Sequence, residues 1–428
     1  MVVTAAGSAE EAVRRWVDAA GGRLVLDGGL ATELEANGAD LNDPLWSAKC
    51  LLSSPHLIRK ANHSPQTLLF VHMDYLEAGA NIIITASYQA TIQGFESKGF
   101  SKEQSENLLT KSVEIALEAR EMFLKEHLEK STPIQHPVLV AASLGSYGAY
   151  LADGSEYRYS LLFFAVNSGD YGEAGTKEFL KDFHRRRLQV LAEAGPDLIA
   201  FETIPNKLEA EAYVELLEEC NINIPAWFSF NSKDGVHIVS GDSLIECTTI
   251  ADKCAKVGAV GINCTPPRFI HGLILSIRKV SLVSTTLCTV FTACLAPPSV
   301  MDDCSTYPCG VHIPWSPFLV YLGTNHCVGD GEGCCYVFTW ITFVALPQVT
   351  DKPILIYPNS GERYDGEKKE WVESTGVSDG DFVSYVNEWC KDGAVLIGGC
   401  CRTTPNTIRA IHRTLNKSPN KQQLPAVE

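Results

Sequence analysis

The stretch 197–205 reads DLIAFETIP, an unbroken apolar run that ends on a carboxylate, a threonine and a proline. A strand with one wet face alternates apolar and polar residues, so an unbroken run points to a strand buried on both faces. The same design recurs in RLVLDGG (23–29), NIIITASYQ (81–89), PVLVAASLG (137–145), PAWFSFN (225–231), AVGINC (259–264), PILIYPNSGE (353–362) and AVLIGGCC (394–401). Amphipathic segments separate these runs. Leu208, Ala212, Tyr213 and Leu216 keep a helical period, as do Phe382, Val386, Trp389 and Cys390.

Eight buried strands alternating with helices predict a (β/α)8 barrel, a TIM barrel of one domain. A doubly wound open sheet would show the same periodicity. Two features favour the barrel. No Gly-x-Gly-x-x-Gly turn follows the first strand, and the chemically active residues all fall at carboxyl ends of strands, where a barrel carries its site.

Residues 280–348 break the pattern. They hold seven cysteines and no Lys or Arg, and they interrupt what should be a short link between the sixth helix and the seventh strand. We read them as an atypical, splice-type insertion at the face opposite the active site, with ordered structure in it left open. Two shorter stretches, 61–70 and 158–167, look similarly foreign to their surroundings.

Composition narrows the function. The chain has 428 residues, 45% hydrophobic and 20% charged, enough for a substantial core. Its formal charge of −16 argues against a nucleic-acid partner, which needs clustered cations. No run of about 18 uncharged apolar residues suits a membrane span. The first twenty residues resemble no secretory or transit peptide and read instead as a helix capped by Ser8. A cytoplasmic location is expected. Fifteen cysteines there point to metal or chemistry rather than to a disulfide framework. Oligomeric state is not legible.

Cys264 closes the sixth strand, and the pair Cys400–Cys401 closes the eighth. Neighbours on a strand point to opposite faces, so both reach one metal only if the backbone turns, which Gly398 and Gly399 permit. Three thiolates with one open position form the catalytic zinc pattern, and soft sulfur favours zinc over magnesium or calcium. Alone, a cysteine at a strand end is more often a small buried hydrophobe. The combination of Asn-Cys with Gly-Gly-Cys-Cys is sharper. Cys50, Cys220, Cys247, Cys254 and Cys390 read as packing, and the insertion's cysteines as free thiols.

Two carboxylates accompany the sulfurs. Asp27 ends the first strand and Glu202 the fourth, each inside an apolar run where an unpaired charge is costly. Helix capping or an arginine partner would explain either one. The functional reading is a paired clamp for a ligand's ammonium, with the amides of Gly28 and Gly29 near its carboxylate. Thr85, Ser143, Asn231 and Asn263 stand at equivalent strand ends and could add hydrogen bonds.

Together these residues resemble the homocysteine S-methyltransferase family, particularly its plant members that use S-methylmethionine. The likeness rests on LDGGLATELEANG (26–38), ITASYQAT (84–91), FETIPNKLEA (201–210), GINCTPPR (261–268), YPNSGE (357–362) and GGCCRTTP (398–405). It implies a (β/α)8 barrel and one zinc ion held by Cys264, Cys400 and Cys401. It also implies contact of Asp27 and Glu202 with the amino group of homocysteine. The implied reaction forms methionine, with S-methylmethionine or S-adenosylmethionine as methyl donor. Tyr88 or Tyr357 would offer an aromatic face to the sulfonium. Two alternatives remain: a catalytically impaired variant of the same fold, and a barrel zinc hydrolase. The hydrolase is disfavoured because no histidine ends a strand run.

Overall fold

The computed structural model describes residues 7–53, 71–151, 171–172, 175–278, 286–290, 321–328, 335–342, 349–365, 370–372 and 376–416. The stretches 61–70 and 158–167 lie outside the described residues. The chain divides into two compact units: Met1–Arg278 with Val349–Glu428, and Lys279–Gln348.

The larger unit is the barrel. Its strands are β1 (Leu24–Val25), β2 (Ile82–Ile84), β3 (Leu139–Gly145), β4 (Leu198–Ile204), β5 (Ala226–Phe230) and β6 (Val257–Asn263). After the smaller unit come β10 (Ile354–Tyr357) and β13 (Ala394–Ile397). All neighbours pair in parallel, in the order β1-β13-β10-β6-β5-β4-β3-β2. A parallel bridge between Leu26 and Ile82 joins the two ends of that order. The expected (β/α)8 barrel is the observed fold.

Side chains along the strands divide into two cores, as the period of two requires. Leu24, Leu26, Ile82, Leu139, Ala141, Leu198, Ala200, Trp227, Ala259, Leu355, Tyr357 and Leu396 fill the interior. Val25, Ile83, Val140, Ile199, Phe201, Phe228, Val260 and Ile356 pack outward against the helices. The N-terminal helix Ala9–Ala19 adds Val13 and Val17 to the interior cluster. It begins on the expected cap, with Ser8 Oγ accepting from Glu11 N at 3.2 Å. A Cβ at Gly258 would lie 2.6 Å from Ala9 O, so that close seat against β6 requires glycine.

Helical periods translate into buried faces. Ala212, Tyr213 and Leu216 are buried on the helix Lys207–Glu219, and Phe382, Val386 and Trp389 on Asp379–Asp392. Leu208 departs from expectation: it is 36% exposed at the first turn, outside the buried stripe.

Between β6 and β10 the smaller unit contains a three-stranded antiparallel sheet, β7 (Thr286–Val290), β8 (Tyr321–Val328) and β9 (Cys335–Thr342), in the order β7-β9-β8. Beyond β10, β11 (Arg363–Asp365) and β12 (Glu370–Val372) form an antiparallel pair. No helix among the described residues is long and apolar enough to cross a membrane.

Candidate active site at the barrel mouth

The carboxyl ends of the strands gather the sequence's candidates at one mouth. Cys264 follows β6, and Cys400 and Cys401 follow β13. Their sulfurs lie within 4.8 Å of one another, the one such group of possible metal ligands among the described residues. Cys401 Sγ is 4.0 Å from Cys264 Sγ and 3.9 Å from Cys400 Sγ. Cys264 and Cys400 are joined as a disulfide. A tetrahedral ion bound at about 2.3 Å by sulfur sets its ligands about 3.8 Å apart. The two spacings at Cys401 match that demand, and a soft three-sulfur set suits a soft ion once the disulfide is reduced.

Backbone conformation brings the sulfurs together. Cys264 has φ 45° and Arg402, after Cys401, has φ 63°, both in the left-handed region that side chains rarely adopt. Cys264 N donates to Tyr357 O at 3.2 Å, and Cys400 N to Pro358 O at 2.8 Å, so the β10 end braces both cysteine-bearing segments. The glycines before Cys400 serve close approach. A Cβ on Gly398 would lie 2.6 Å from Leu26 Cβ, and one on Gly399 would lie against Thr403 Oγ1.

Gly28 and Gly29 belong to the same seam. Gly29 N donates to Thr403 O at 3.1 Å, and a Cβ on Gly29 would lie 2.7 Å from Cys400 O. Tyr75 Oη sits 3.1 Å from Gly29 O and 3.2 Å from Thr403 O, behind both loops. The amide of Gly29 is therefore spent on the cysteine loop.

The two carboxylates are buried at the same mouth. Asp27 Oδ2 accepts from Ile84 N at 2.7 Å, while Oδ1 is buried without a hydrogen-bond partner. Burial raises its pKa well above the ordinary range, and the charge of Glu202 adds to the rise. Glu202 accepts from Ser143 Oγ, and from Tyr357 Oη at 3.1 Å. Burial pushes its pKa up to about 7, against the opposing effects of both hydroxyls and of Arg187. Such a pair is most comfortable with a shared cation.

The remaining candidates hold the scaffold. Thr85 Oγ1 accepts from Ser143 N at 3.0 Å and lies 2.6 Å from Ser87 Oγ, tying β2 to β3. Asn263 spends its amide on Thr203. Asn231 is buried at the end of β5, its carbonyl accepting from Val239 N at 3.2 Å. Tyr88 is half-buried against Gly145 and meets Trp46 edge-on, ring centroids 6.3 Å apart. Tyr357 is 1% exposed and turns its hydroxyl, rather than its ring face, to Glu202; Ser229 Oγ at 2.5 Å and Trp227 Nε1 at 3.2 Å complete its environment. Sequence reading missed Trp227, Ser229, Tyr75 and Thr403, although Trp227 and Ser229 lie in the run PAWFSFN and Thr403 in GGCCRTTP; Tyr75 lies in neither. Cys50, Cys247 and Cys254 are buried, and Cys220 and Cys390 half-buried. Side chains of the insertion's cysteines lie outside the described residues.

Fold and site define a (β/α)8 barrel with three converging cysteines and a buried carboxylate pair at its mouth. The family model described as homocysteine S-methyltransferase matches residues 24–415. The chain is 79% identical to homocysteine S-methyltransferase 2 of Zea mays, over all of both chains. It is 54% identical to a selenocysteine Se-methyltransferase of Brassica oleracea var. italica, over 92% of this chain and 89% of that one. The homocysteine methyltransferase MmuM of Escherichia coli, in its metallated form, superposes with a TM-score of 0.62 at 34% identity, covering 91% of this chain and 96% of that one. The chain belongs to the homocysteine S-methyltransferase family, and is a methyltransferase with a thiol acceptor.

Proposed function

We propose that the chain moves a methyl group from a sulfonium, S-methylmethionine or S-adenosylmethionine, to homocysteine, forming methionine. Cys264, Cys400 and Cys401, reduced, would hold one zinc ion, and Asp27 and Glu202 would receive the amino group of homocysteine. The observation that carries this reading is the meeting of three sulfurs and two buried carboxylates at one barrel mouth.

Zinc, when bound, would acidify the substrate thiol, whose free form is largely protonated at neutral pH. The chain's own residues do the rest. Asp27 and Glu202, short of positive charge in their buried site, bind the ammonium and fix the acceptor's orientation. Ser143 and Tyr357 hold Glu202 in place through its two oxygens. The acceptor sulfur forms the new bond to the methyl carbon as the donor's carbon–sulfur bond breaks. The electron pair stays on the departing thioether, and the thiol proton goes to solvent.

The reduced, zinc-loaded protein should convert homocysteine to methionine with at least one of the two sulfonium donors, read by chromatography of the products. A folded, zinc-loaded chain that transfers from neither donor would contradict the reading. Selenocysteine belongs in the same assay as a competing acceptor, given the Brassica relative.

A further inference from the structure

We propose that Arg187 is a positioning residue for the amino-group subsite, clamping the loop after β2 to the end of β3 so that Ser143 and Glu202 face the acceptor. This rests on the acceptor reading above.

Arg187 lies on the helix Lys177–Glu193, among the buried residues Leu180, Phe183, Leu188 and Leu191, and is itself 1% exposed. A buried guanidinium normally sits with a carboxylate, because an unpaired charge away from water is costly. Among the described residues no carboxylate accepts a hydrogen bond from it. Its partners are backbone carbonyls of two mouth segments. Nη1 donates to Gly145 O at 2.9 Å, and Nη2 to Ser87 O and Tyr88 O at 2.8 Å each. A planar guanidinium can span such a set, whereas an ammonium is a single point.

The clamped seam leads directly to the carboxylate. Gly145 is the register partner of Glu202. Tyr88 presses so closely on Gly145 that a Cβ there would meet Tyr88 O. Ser143, on the same face two residues earlier, donates to Glu202, and its amide is held by Thr85 from β2. Arg187 thus fixes the loop after β2 against β3, the strand whose Ser143 binds Glu202.

The charge also acts on the site. Burial lowers the pKa of Arg187 to about 10, which leaves it cationic at neutral pH, and it favours the ionised form of Glu202. The other groups around it are Glu209, Tyr213, Tyr88 and His184. The carboxylate of Glu209 is already engaged by His184 Nε2 at 2.8 Å, Tyr213 Oη at 3.1 Å, Tyr147 N at 2.6 Å and Tyr171 Oη at 2.6 Å. Glu202 is flanked in turn by Asp27, Ser143 and Tyr357. Removing Arg187 should therefore weaken acceptor binding selectively.

The test compares Arg187→Met and Arg187→Lys with the wild-type chain, each reduced and zinc-loaded, by thermal unfolding, zinc content, and kcat and KM for both substrates. The Met variant should raise KM for homocysteine about tenfold or more, the scale of one or two lost charged hydrogen bonds. KM for the sulfonium donor and zinc content should stay within about twofold. The Lys variant, whose ammonium cannot span the three carbonyls, should recover only part of the loss, so its own selective rise in KM for homocysteine carries the test if the Met variant does not fold. Unchanged KM for homocysteine in a folded variant, or equal rises for both substrates, would overturn the role of Arg187. Absence of transfer by the wild-type chain would instead strike the reading of the reaction.

Discussion

Asn263, the last residue of β6, binds both polar groups of Thr203 across the intervening strand: its Oδ1 accepts from Thr203 N at 2.9 Å, and its Nδ2 donates to Thr203 Oγ1 at 2.7 Å. Thr203 has φ 57° directly after Glu202, and Cys264 has φ 45° directly after Asn263. One side-chain amide therefore steadies the backbone beside the carboxylate and beside a cysteine. Replacing Asn263 with Ala leaves the buried Thr203 amide unsatisfied, at a cost of about 2–4 kcal/mol for the two bonds together. Urea unfolding should show that loss, and the folded fraction should bind both zinc and homocysteine more weakly. Stability within experimental error of the wild type would remove this relationship from the account.

Glu202 links pH to both stability and binding. Its folded pKa of about 7 lies above the ordinary 4.5, so folding favours the protonated form. That contribution is complete below about 4.5 and fades as pH climbs through about 7. Binding of an ammonium runs the other way, because it needs the carboxylate. The ratio kcat/KM for homocysteine should rise through about pH 7, and Tyr357→Phe, which deletes a hydrogen bond that favours the charged form, should move that limb upward. A limb unmoved by Tyr357→Phe would assign it to another group.

Gly29→Ala tests the seam between the first strand and the cysteine loop. Its φ of −67° suits any residue, so the effect is one of space: the new Cβ would lie 2.7 Å from Cys400 O. Displacing that loop should cost about 1–3 kcal/mol and weaken zinc affinity at least tenfold, measured by competition with a chelator. Unaltered zinc affinity would show that the loop gives way freely.

The insertion leaves and re-enters the barrel at adjacent points. Thr350 N donates to Ile277 O at 3.1 Å, and Arg278 pairs with Thr350. Replacing Lys279–Gln348 with a short glycine-serine linker should keep the barrel's circular dichroism and hold kcat/KM within about threefold, since loop closure there costs little entropy. Collapse of the fold would mean that the smaller unit is required for the barrel.

The eight strands were legible because parallel strands under helices must be apolar on both faces, and DLIAFETIP or AVGINC permits no other reading as a strand. Asp27, Glu202 and the three cysteines stood out because each closes such a run with a residue that burial penalises or that metals prefer. Partnerships across the mouth were not legible. Asn263 reads as a free amide until the barrel curves β4 and β6 towards each other. Gly29 looked like an amide offered to a ligand, yet its N–H is spent on Thr403. Arg187 carried a usable signal: it falls at helical spacing between Phe183 and Leu191, on a face that buries its neighbours. Three consecutive arginines hid it.

The most direct measurement is zinc stoichiometry and turnover on the same reduced preparation, for the wild-type chain and Cys401→Ala. The account requires about one zinc per wild-type chain, with the variant losing metal and methyl transfer together while its circular dichroism is kept. Methyl transfer at the wild-type rate by a folded, zinc-free variant would contradict it.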